Sequence, residues 1–595
     1  MVTWPMFEEQ FYNEKLVTEV LGIGAAPGAT EWVRLRGERM RGEGSKRAVR
    51  KVMDGDSEEA GEMRERARKV GEMARRTVEE GGSSWKDLYD HCHRSIPLHS
   101  SSSLPSKSMD PPHHHHHHQQ LHVVFLPFMA QGHMIPITDM ARLFARRGVK
   151  STIITTPLNA PLFSGKIRRD AQLGLPIETH IIEFPCAEAG LPEGCENVNA
   201  IKSPELMIPF FKSMAVFQRP VEDLLRQWRP DCILADVVFT WATETAARLC
   251  IPRLFFNGTG AFAVSLLHAL KVHEPYKEVE SDSEPFLLPG LPHEIQLTKL
   301  QLPPFLKGDE SDSGIKELRE KMEESEINSF GAVVNSFHEL EPGYAEYYRK
   351  VMGRKAWLIG PLSLGNKDGT KEKAERGNVA SAADIDEHDH LRWLDGVEPN
   401  SVLYICFGSI SNMSNAQLCE IAGALDSSEQ SFIWVVKKGE LLPEGFEERM
   451  KGKGIVIKGW APQVLILDHT AIGGFMTHCG WNSTLEAVAA GVPMVTWPLQ
   501  AEQFLNEKLV TDVLKIGVGV GAQEWSRGER KIVVGREDIE MAMTRVMVGQ
   551  EAEELRGRAR KLQKMAVMAN EEGGSSNFDL KSLLEELTSL WDKKL

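Results

Sequence analysis

Residues 460–503 place a dense set of polar and aromatic side chains around a turn that is suited to bind an anion. The apolar run from Gly473 to Thr477 predicts a buried parallel strand that ends in a glycine-containing turn. Asn482-Ser483-Thr484 then opens a helical run, Leu485 to Ala490, which stops at Gly491. Unpaired backbone N–H groups and the dipole at a helix N-terminus favour phosphate. We therefore predict a diphosphate site here that needs no metal.

A histidine and an aspartate follow two other predicted strands and are placed to form an acid–base pair. The strand His122–Phe128 leads into Gly132 and His133, and Asp236 directly follows the strand Cys232–Ala235. Because reactive groups in such folds collect beyond the carboxyl ends of parallel strands, we expect the two side chains to lie close together. A carboxylate that fixes the tautomer of an imidazole makes it a general base for a hydroxyl group. A second role for Asp236, compatible with the first, is to cap the helix that follows it.

The elements around these residues alternate between apolar strands and helical stretches from Leu121 onward, which predicts α/β domains with parallel sheets covered on both faces. The helix through Met140 to Arg146 is predicted to begin close to Pro136. Further strands are predicted at 151–155, 253–256, 332–336, 402–407, 432–436, 454–457 and 493–497. Residues 363–392 are charged and rich in glycine, and are interpreted as a linker between two domains.

The segment from Trp460 to Gln503 resembles the plant secondary product glycosyltransferase signature, the donor-binding box of family 1 UDP-sugar glycosyltransferases. The match covers the full box and includes HCGWNS at 478–483. The motifs GHM and ADVVFTWAT resemble the family's catalytic histidine and aspartate, which would be His133 and Asp236. The resemblance implies the glycosyltransferase B (GT-B) fold, in which two Rossmann-like, doubly wound domains face each other across a cleft.

The same resemblance distributes the residues of the box over a UDP-sugar. The uracil and ribose are assigned to Trp460, Ala461, Gln463 and Glu486. The phosphates are assigned to His478, Asn482, Ser483 and Ser409. The sugar is assigned to Trp481, Glu502 and Gln503, with Thr259 as a further sugar contact. Two structural alternatives stay open: Ser483-x-x-Glu486 is also the pattern of a helix capping box, and the two tryptophans also suit a hydrophobic core.

The resemblance covers residues 121–595 and implies an inverting, UDP-glucose-dependent O-glucosyltransferase that acts on a small lipophilic plant metabolite. The sequence of the first half is similar to those of enzymes that act on flavonoids, coumarins, abscisate, and triterpenoids or steroids. Acceptor contacts are expected in the loops at 157–163, 189–197 and 239–241. UDP-glucose would be a co-substrate, with no cofactor and no metal. The alternatives are another UDP-sugar donor or a UDP-sugar-binding protein without turnover.

Composition narrows the choice of partners and compartment. The chain has 595 residues, 42% hydrophobic and 26% charged, and a net charge of −15, which argues against nucleic acid or an anionic membrane as a partner. None of the eight cysteines forms a CxxC pair, and no segment approaches the ~20 apolar residues of a membrane span. We expect a cytoplasmic monomer that binds a UDP-sugar and a small aglycone.

The beginning of the chain repeats part of its end. Residues 1–34 are identical to residues 494–527 at 23 of 34 positions, and EEGGSS at 79–84 recurs at 571–576. Residues 1–88 are therefore interpreted as a partial, non-functional duplicate, followed by a low-complexity segment at 89–120 with a histidine run. The remaining predicted boundaries are an acceptor domain at 121–362, the linker at 363–392, a donor domain at 393–580 and a final helix at 581–595 that packs back on the acceptor domain.

Overall fold

The structure is a computed structural model that describes residues 62, 65, 66, 68 and 69, and residues 120–592 except 202, 308–312, 366–368, 377–386, 410–412 and 527–530. The contacts within the chain divide it into two compact units, Met1–Pro112 and His113–Leu595. In the first unit the described residues are helical. The predictions of a duplicate at 1–88 and of a low-complexity segment up to residue 119 otherwise lie outside the described residues.

The first lobe of the second unit is built on seven parallel strands. Their spatial order is β3-β2-β1-β4-β5-β8-β9, and a separate antiparallel hairpin joins β6 and β7. The strands of this lobe are β1 (His122–Leu126), β2 (Lys150–Thr155), β3 (Ile177–Ile181), β4 (Cys232–Asp236), β5 (Arg253–Phe256), β6 (Phe286–Leu288), β7 (Ile295–Leu297), β8 (Gly331–Val334) and β9 (Ala356–Leu358). The chain reverses its winding direction between β1 and β4, and ligands of doubly wound folds bind at such a switch point.

Helices cover both faces of this sheet. They are α1 (Gln131–Arg146), α2 (Ser164–Gln172), α3 (Met207–Val216), α4 (Gln218–Trp228), α5 (Ala242–Arg248), α6 (Ala261–His273), α7 (Pro304–Lys307), α8 (Ser313–Ile327) and α9 (Pro342–Lys350). The fully buried strand β1 shows why two layers form: Val123 and Phe125 pack in one hydrophobic cluster, while Val124 and Leu126 pack in another. Successive side chains of a strand point to opposite faces, so an unbroken apolar run demands cover on both sides.

The second lobe repeats this architecture with six parallel strands in the order β12-β11-β10-β13-β14-β15. Its strands are β10 (Val402–Cys406), β11 (Ser431–Val436), β12 (Gly454–Lys458), β13 (Ile472–Thr477), β14 (Met494–Thr496) and β15 (Gly517–Gly519). Its helices are α13 (Asn415–Ser427), α14 (Phe446–Arg449), α15 (Gln463–Leu467), α16 (Trp481–Ala490), α17 (Gln503–Lys508), α18 (Arg536–Met547) and α19 (Gly549–Asn570). The switch point lies between β10 and β13. The predicted class, two doubly wound parallel-sheet domains, is confirmed.

Short helices lie between the lobes, and one long helix closes the chain. The connecting helices are α10 (Leu362–Gly365), α11 (Thr370–Ala374) and α12 (Glu387–Asp395). The last helix, α20 (Ser575–Asp592), places Leu580, Leu583 and Leu587 in the hydrophobic cluster of the first lobe. The exact residue boundaries of the predicted domains stay predictions.

Helix α1 differs from its prediction. It begins at Gln131 rather than close to Pro136, so the proline lies inside the helix. Proline lacks a backbone N–H and cannot donate to the carbonyl four residues earlier, which belongs to Gly132. That carbonyl instead accepts a hydrogen bond from the side chain of Asn482, at 2.8 Å. The contact from the second lobe satisfies the group that the proline leaves open.

None of the helices formed by the described residues combines the length and the apolar character that a membrane crossing requires. The cysteines among those residues form no disulfide with one another: Cys186, Cys195, Cys232, Cys250, Cys406, Cys419 and Cys479.

Candidate active site

His133 and Asp236 meet at the switch point of the first sheet. His133 lies in the first turn of α1, and Asp236 is the last residue of β4. His133 Nδ1 donates to Asp236 Oδ2 at 2.7 Å, and the carboxylate is fully buried while the imidazole is 28% exposed. Burial lowers the pKa of His133, but the charge of Asp236 and its hydrogen bond outweigh that effect and raise the pKa above its usual value. Since Nδ1 is committed to the carboxylate, Nε2 is the nitrogen that can accept a proton.

The second role predicted for Asp236, as the cap of the next helix, does not hold. Helix α5 begins at Ala242 and its capping residue is Trp241. The carboxylate of Asp236 bonds the imidazole instead.

Neighbouring groups fix the imidazole in position. The rings of Phe128 and Phe256 meet it edge-on, with centroids 5.4 Å and 6.4 Å away. Gly258, with φ +79°, lies so close that a Cβ atom there would be 2.9 Å from His133 Cε1. The backbone can approach the ring this closely because glycine has no side chain and tolerates positive φ.

A buried arginine forms a hydrogen bond to the backbone of the aspartate. Arg253 on β5 is 2% exposed, and its Nη2 donates to the backbone carbonyl of Asp236 at 3.1 Å. Its Nη1 donates to Thr243 Oγ1 at 2.7 Å, which ties the strand end to α5. Burial lowers the pKa of Arg253 to about 10 in spite of the opposing charge of Asp236, so the guanidinium is still a cation at neutral pH.

The anion-binding turn of the second lobe lies at its switch point, between β13 and α16. Cys479 has φ +63°, and Gly480 precedes the first helical residue, Trp481. The first N–H groups of a helix have no acceptor within it, so they are available to an anion. Burial, followed by the charge of Lys437, lowers the pKa of His478 to about 4. The imidazole of His478 is therefore neutral at physiological pH and can act as a hydrogen-bonding group.

The second wall of this turn is the end of β10. Gly408 has φ +77°, and a Cβ atom there would lie 2.7 Å from the His478 ring. Ser409, the next residue, is exposed. The two strand ends therefore lie next to each other.

The predicted uracil and ribose residues form a connected group. Gln463 Nε2 donates to Ser483 Oγ at 3.0 Å and to Glu486 Oε2 at 2.7 Å. Ala461 is buried, its carbonyl accepts from the backbone N–H of Gln463, and Trp460 is half-buried at the start of the segment. The capping-box alternative for Ser483 and Glu486 fails, because α16 begins at Trp481 with Gly480 as its cap and places Ser483 inside the first turn.

The residues predicted to face the sugar have protein partners of their own. Gln503 Oε1 accepts from the backbone N–H groups of Leu499 and Gln500, both at 2.9 Å. Trp481 is 2% exposed, and its indole donates to the carbonyl of Asn335 in the first lobe at 2.7 Å. Their roles toward a sugar stay predictions.

The two candidate sites lie next to each other. Asn482 of α16 bonds the carbonyl of Gly132, which directly precedes His133. The charge of Glu502, at the end of the donor box, contributes to the raised pKa of His133. Burial raises the pKa of Glu502 itself, an effect that His133 partly offsets. The base and the anion-binding turn therefore share one cleft.

Several buried polar atoms around this cleft have no partner among the described residues. They are Asp236 Oδ1, Thr259 Oγ1, Trp460 Nε1 and His478 Nδ1. Buried polar groups in native proteins are nearly always hydrogen-bonded, so such atoms point to a ligand or ordered water. They belong to residues that the sequence analysis had selected.

Comparison with known proteins settles the family. A family model described as "UDP-glucoronosyl and UDP-glucosyl transferase" matches residues 381–547. The scopoletin glucosyltransferase of Nicotiana tabacum is 52% identical over 474 residues, which cover 79% of this chain and 98% of the relative. The chain belongs to this family of UDP-glycosyltransferases. The predicted enzyme class and the use of a UDP-sugar are confirmed.

Two further relatives agree with this assignment. The abscisate beta-glucosyltransferase of Phaseolus angularis is 46% identical over 485 residues, or 78% of this chain and 97% of the relative. Among solved structures, Glycyrrhiza uralensis UGT73P12 complexed with glycyrrhetinic acid 3-O-monoglucuronide has a TM-score of 0.75 and 43% identity, and the match covers 80% of this chain and 97% of that one. This UDP-glycosyltransferase therefore has the GT-B fold, as predicted.

Aromatic rings lie next to the base of this UDP-glycosyltransferase. Phe128 stacks on Phe211 with ring centroids 5.6 Å apart, and the Phe128 ring also has an edge contact with the ring of His133. A separate cavity of about 840 Å³ is lined by residues 182–188, by Leu191 and Glu193 of the predicted acceptor loop, and by the α3–α4 junction. Its lining includes neither His133 nor any residue of the donor box, and the acceptor role of the loop stays a prediction.

Two residues of this site, Arg253 and Arg376, and the role of Pro136 were not predicted from the sequence. Arg253 lies in an apolar strand, and only the position of its guanidinium under Asp236 shows its role. Arg376 lies in the charged linker, where no pattern distinguishes it from its neighbours, yet it reaches the buried carboxylates Asp139 and Glu486. Pro136 can be read directly from the sequence. Once the helix is known to include it, counting back four residues identifies the Gly132 carbonyl as the one that it leaves free.

Proposed function

We propose that this UDP-glycosyltransferase transfers glucose from UDP-glucose to a hydroxyl group of a small lipophilic plant metabolite, with inversion at the anomeric carbon. The observation that carries the proposal is the His133–Asp236 pair. Gly132, which directly precedes His133, accepts a hydrogen bond from Asn482. That contact joins the helix of the base to the helix of the anion-binding turn. A protein that only bound the sugar nucleotide would not need a paired base at this place.

In the proposed step, His133 Nε2 takes the proton of the acceptor hydroxyl while the oxygen attacks the anomeric carbon from the side opposite UDP. The bond between that carbon and the diphosphate oxygen breaks, and its electron pair leaves with UDP. Asp236 stabilises the imidazolium that forms. Negative charge that grows on the diphosphate meets the first N–H groups of α16 and the ring of His478, and a fixed polar site of this kind supplies several kcal/mol.

The donor assignment follows the resemblance of residues 460–503 to the donor-binding box. We propose that Trp460, Ala461, Gln463 and Glu486 hold uridine, that Ser409, His478, Asn482 and Ser483 hold the diphosphate, and that Thr259, Trp481, Glu502 and Gln503 face the sugar. The orphaned indole N–H of Trp460 and the hydroxyl of Thr259 support this assignment. Glutamine at 503 favours glucose, and the names of the relatives include glucosyltransferases.

The acceptor class follows from the aromatic wall beside the base. Phe128 and Phe211 place aromatic rings beside the imidazole of His133, and such surroundings suit a coumarin, flavonoid, terpenoid or hormone better than a hydrophilic sugar. The relatives named after scopoletin and abscisate support this class.

We further propose that the reaction needs no metal, because helix N–H groups and a neutral imidazole already match a diphosphate. We propose that the enzyme works as a monomer in the cytoplasm, whose reducing conditions suit cysteines that form no disulfide among the described residues.

The test is a panel of aromatic, terpenoid and sugar acceptors with UDP-glucose, UDP-galactose and UDP-glucuronate, with product and UDP both quantified, in the presence and absence of EDTA. The proposal expects β-linked glucosides of the lipophilic acceptors, glucose as the preferred donor and no loss with EDTA. Transfer only to sugars, an α-linked product, or a preferred donor other than UDP-glucose would each contradict it.

A further inference from the structure

Arg376 lies in the cleft between two buried carboxylates that belong to different lobes. Its Nε and Nη2 contact Asp139 Oδ2 of α1 at 3.0 Å and 2.9 Å, and its Nη1 contacts Glu486 Oε1 of α16. The three side chains are 11%, 5% and 7% exposed. Burial would lower the pKa of Arg376, but the two carboxylates outweigh it and raise the pKa above its usual value. The guanidinium is therefore a permanent cation at this place.

Both carboxylate oxygens of Glu486 already accept a hydrogen bond from the protein in this arrangement. Oε1 accepts from Arg376, and Oε2 accepts from Gln463 Nε2 at 2.7 Å. A carboxylate that is buried in this way needs such donors, because a charge without partners is costly in a protein interior. Because the carboxylate is only 7% exposed, ribose hydroxyls that donate to Glu486 approach an oxygen that Arg376 already covers.

We propose that Arg376 competes with the ribose of the donor for Glu486 and thereby sets the affinity of the enzyme for UDP-sugars. This inference rests on the proposed role of Glu486 as the ribose ligand. When UDP-sugar binds, the 2′- and 3′-hydroxyls take over Glu486, and Arg376 retains Asp139. When UDP leaves, the guanidinium returns and compensates the charge of the glutamate.

Ion pairs hold the segment that carries Arg376 to both lobes. The exchange at Glu486 therefore requires only the side chain of Arg376 to move. Lys373 pairs with Asp468 of the second lobe at 2.6 Å, and Glu375 pairs with Arg169 of the first lobe. Asp139 also has Arg142 at 4.0 Å, so it stays next to a positive charge throughout the exchange.

A variant without the competing charge should bind UDP more tightly. In Arg376→Met, Glu486 loses the hydrogen-bond donor that Arg376 provides. Ribose hydroxyls can then donate to Glu486 without competition from the guanidinium. We expect the Kd for UDP to fall by about tenfold, the scale of one hydrogen bond to a charged group. The KM for UDP-glucose should fall and inhibition by the product UDP should strengthen, while kcat does not rise.

The decisive experiment is isothermal titration of wild type, Arg376→Met and Lys373→Met with UDP and with 2′,3′-dideoxy-UDP, with the melting temperature recorded for each protein. The proposal expects the preference for UDP over the dideoxy ligand to increase in Arg376→Met. Lys373→Met removes an ion pair of the same segment that does not touch Glu486, and should leave both affinities unchanged. Should Arg376→Met not fold, Arg376→Lys serves instead: one ammonium group cannot contact both carboxylates, so UDP affinity rises by a smaller factor.

An unchanged or weaker affinity of a folded Arg376 variant for UDP would overturn the proposal. An equal gain for both ligands would also overturn it, because the arginine would then act on the shape of the pocket rather than on the ribose contact. Failure of the proposed function looks different: wild type itself would fail to bind UDP, or would not distinguish it from the dideoxy ligand.

Discussion

At the scale of single residues, Asp236 decides how His133 behaves near neutral pH. The imidazole acts as a base only when neutral, so kcat/KM falls as the pH drops through the pKa of His133. Asp236 raises this pKa, and burial alone lowers it. In Asp236→Asn the acid limb of the pH profile should therefore move to lower pH. The plateau should fall on the order of a hundredfold or more, because the tautomer is no longer fixed.

A matched control for this prediction lies at the other end of the same strand. Asp231 Oδ2 accepts from the backbone N–H of His122 at 2.8 Å and does not contact the base. Asp231→Asn should leave the acid limb where it is in the wild type. A pH–rate profile of Asp236→Asn with an unmoved limb would show that the aspartate does not tune His133.

Gly258 offers a second prediction at this scale. A methyl group at Gly258 would lie 2.9 Å from His133 Cε1 and must push the ring away. We expect Gly258→Ala to lower kcat at least tenfold while UDP affinity, measured by titration, stays within twofold. Gly148 has φ +81° with open space around its Cβ position, so Gly148→Ala carries the same backbone strain and should keep full activity. Equal loss in both variants would attribute the effect to strain rather than to the imidazole.

At the scale of elements, Pro136 leaves a carbonyl of α1 free to accept a hydrogen bond from α16. Pro136→Ala introduces a backbone N–H at position 136. This N–H would donate to the Gly132 carbonyl and compete with Asn482 for it. We expect the melting temperature to be unchanged or higher, because a proline inside a helix is unfavourable, and kcat/KM to be several-fold lower. Pro342 occupies the first position of α9, where its missing N–H has no consequence, so Pro342→Ala should alter neither quantity. Unaltered kcat/KM in Pro136→Ala would remove this contact from the account.

Most strands were predictable because they are apolar runs bounded by turn residues. The strands β1, β4, β5, β10 and β13 were predicted within a few residues of their observed ends. The strands β3, β9 and β15 were not predicted: IETHI carries charged and polar residues, and AWL and GVG are too short to show a period. These strands lie toward the sheet edges and take their conformation from pairing with a neighbour.

The candidate site was more predictable than the elements around it. The partnership of His133 with Asp236 followed from the rule that strand ends meet at a switch point, and the donor-box residues followed from the resemblance. The two ion pairs of Arg376 and the contact of Trp481 with Asn335 did not, because they join residues 237, 110 and 146 positions apart that no local pattern connects.

At the scale of the whole molecule, the last helix joins the end of the chain to the first lobe. Leu583 of α20 is fully buried among residues of the first sheet, and Asp579 pairs with Arg349 at 2.8 Å. We expect Leu583→Ala to reduce the free energy of unfolding by about 2–5 kcal/mol, because it leaves a cavity. Phe578 on the same helix is 68% exposed, so Phe578→Ala should change stability by less than about 0.5 kcal/mol. Denaturant unfolding of both variants checks this, and equal stability would mean that α20 is not part of the first lobe's core.

The most direct test of the account compares two acceptors in the wild type and in His133→Ala. One acceptor carries an aliphatic hydroxyl, which needs a base, and the other an acidic nitrophenol, which is largely ionised at the assay pH. We predict that kcat/KM of His133→Ala falls by about 10²–10⁴ for the alcohol but by less than about tenfold for the phenol, with UDP binding unchanged. An equal loss for both acceptors, or no loss for the alcohol, would contradict the assignment of His133 as the base.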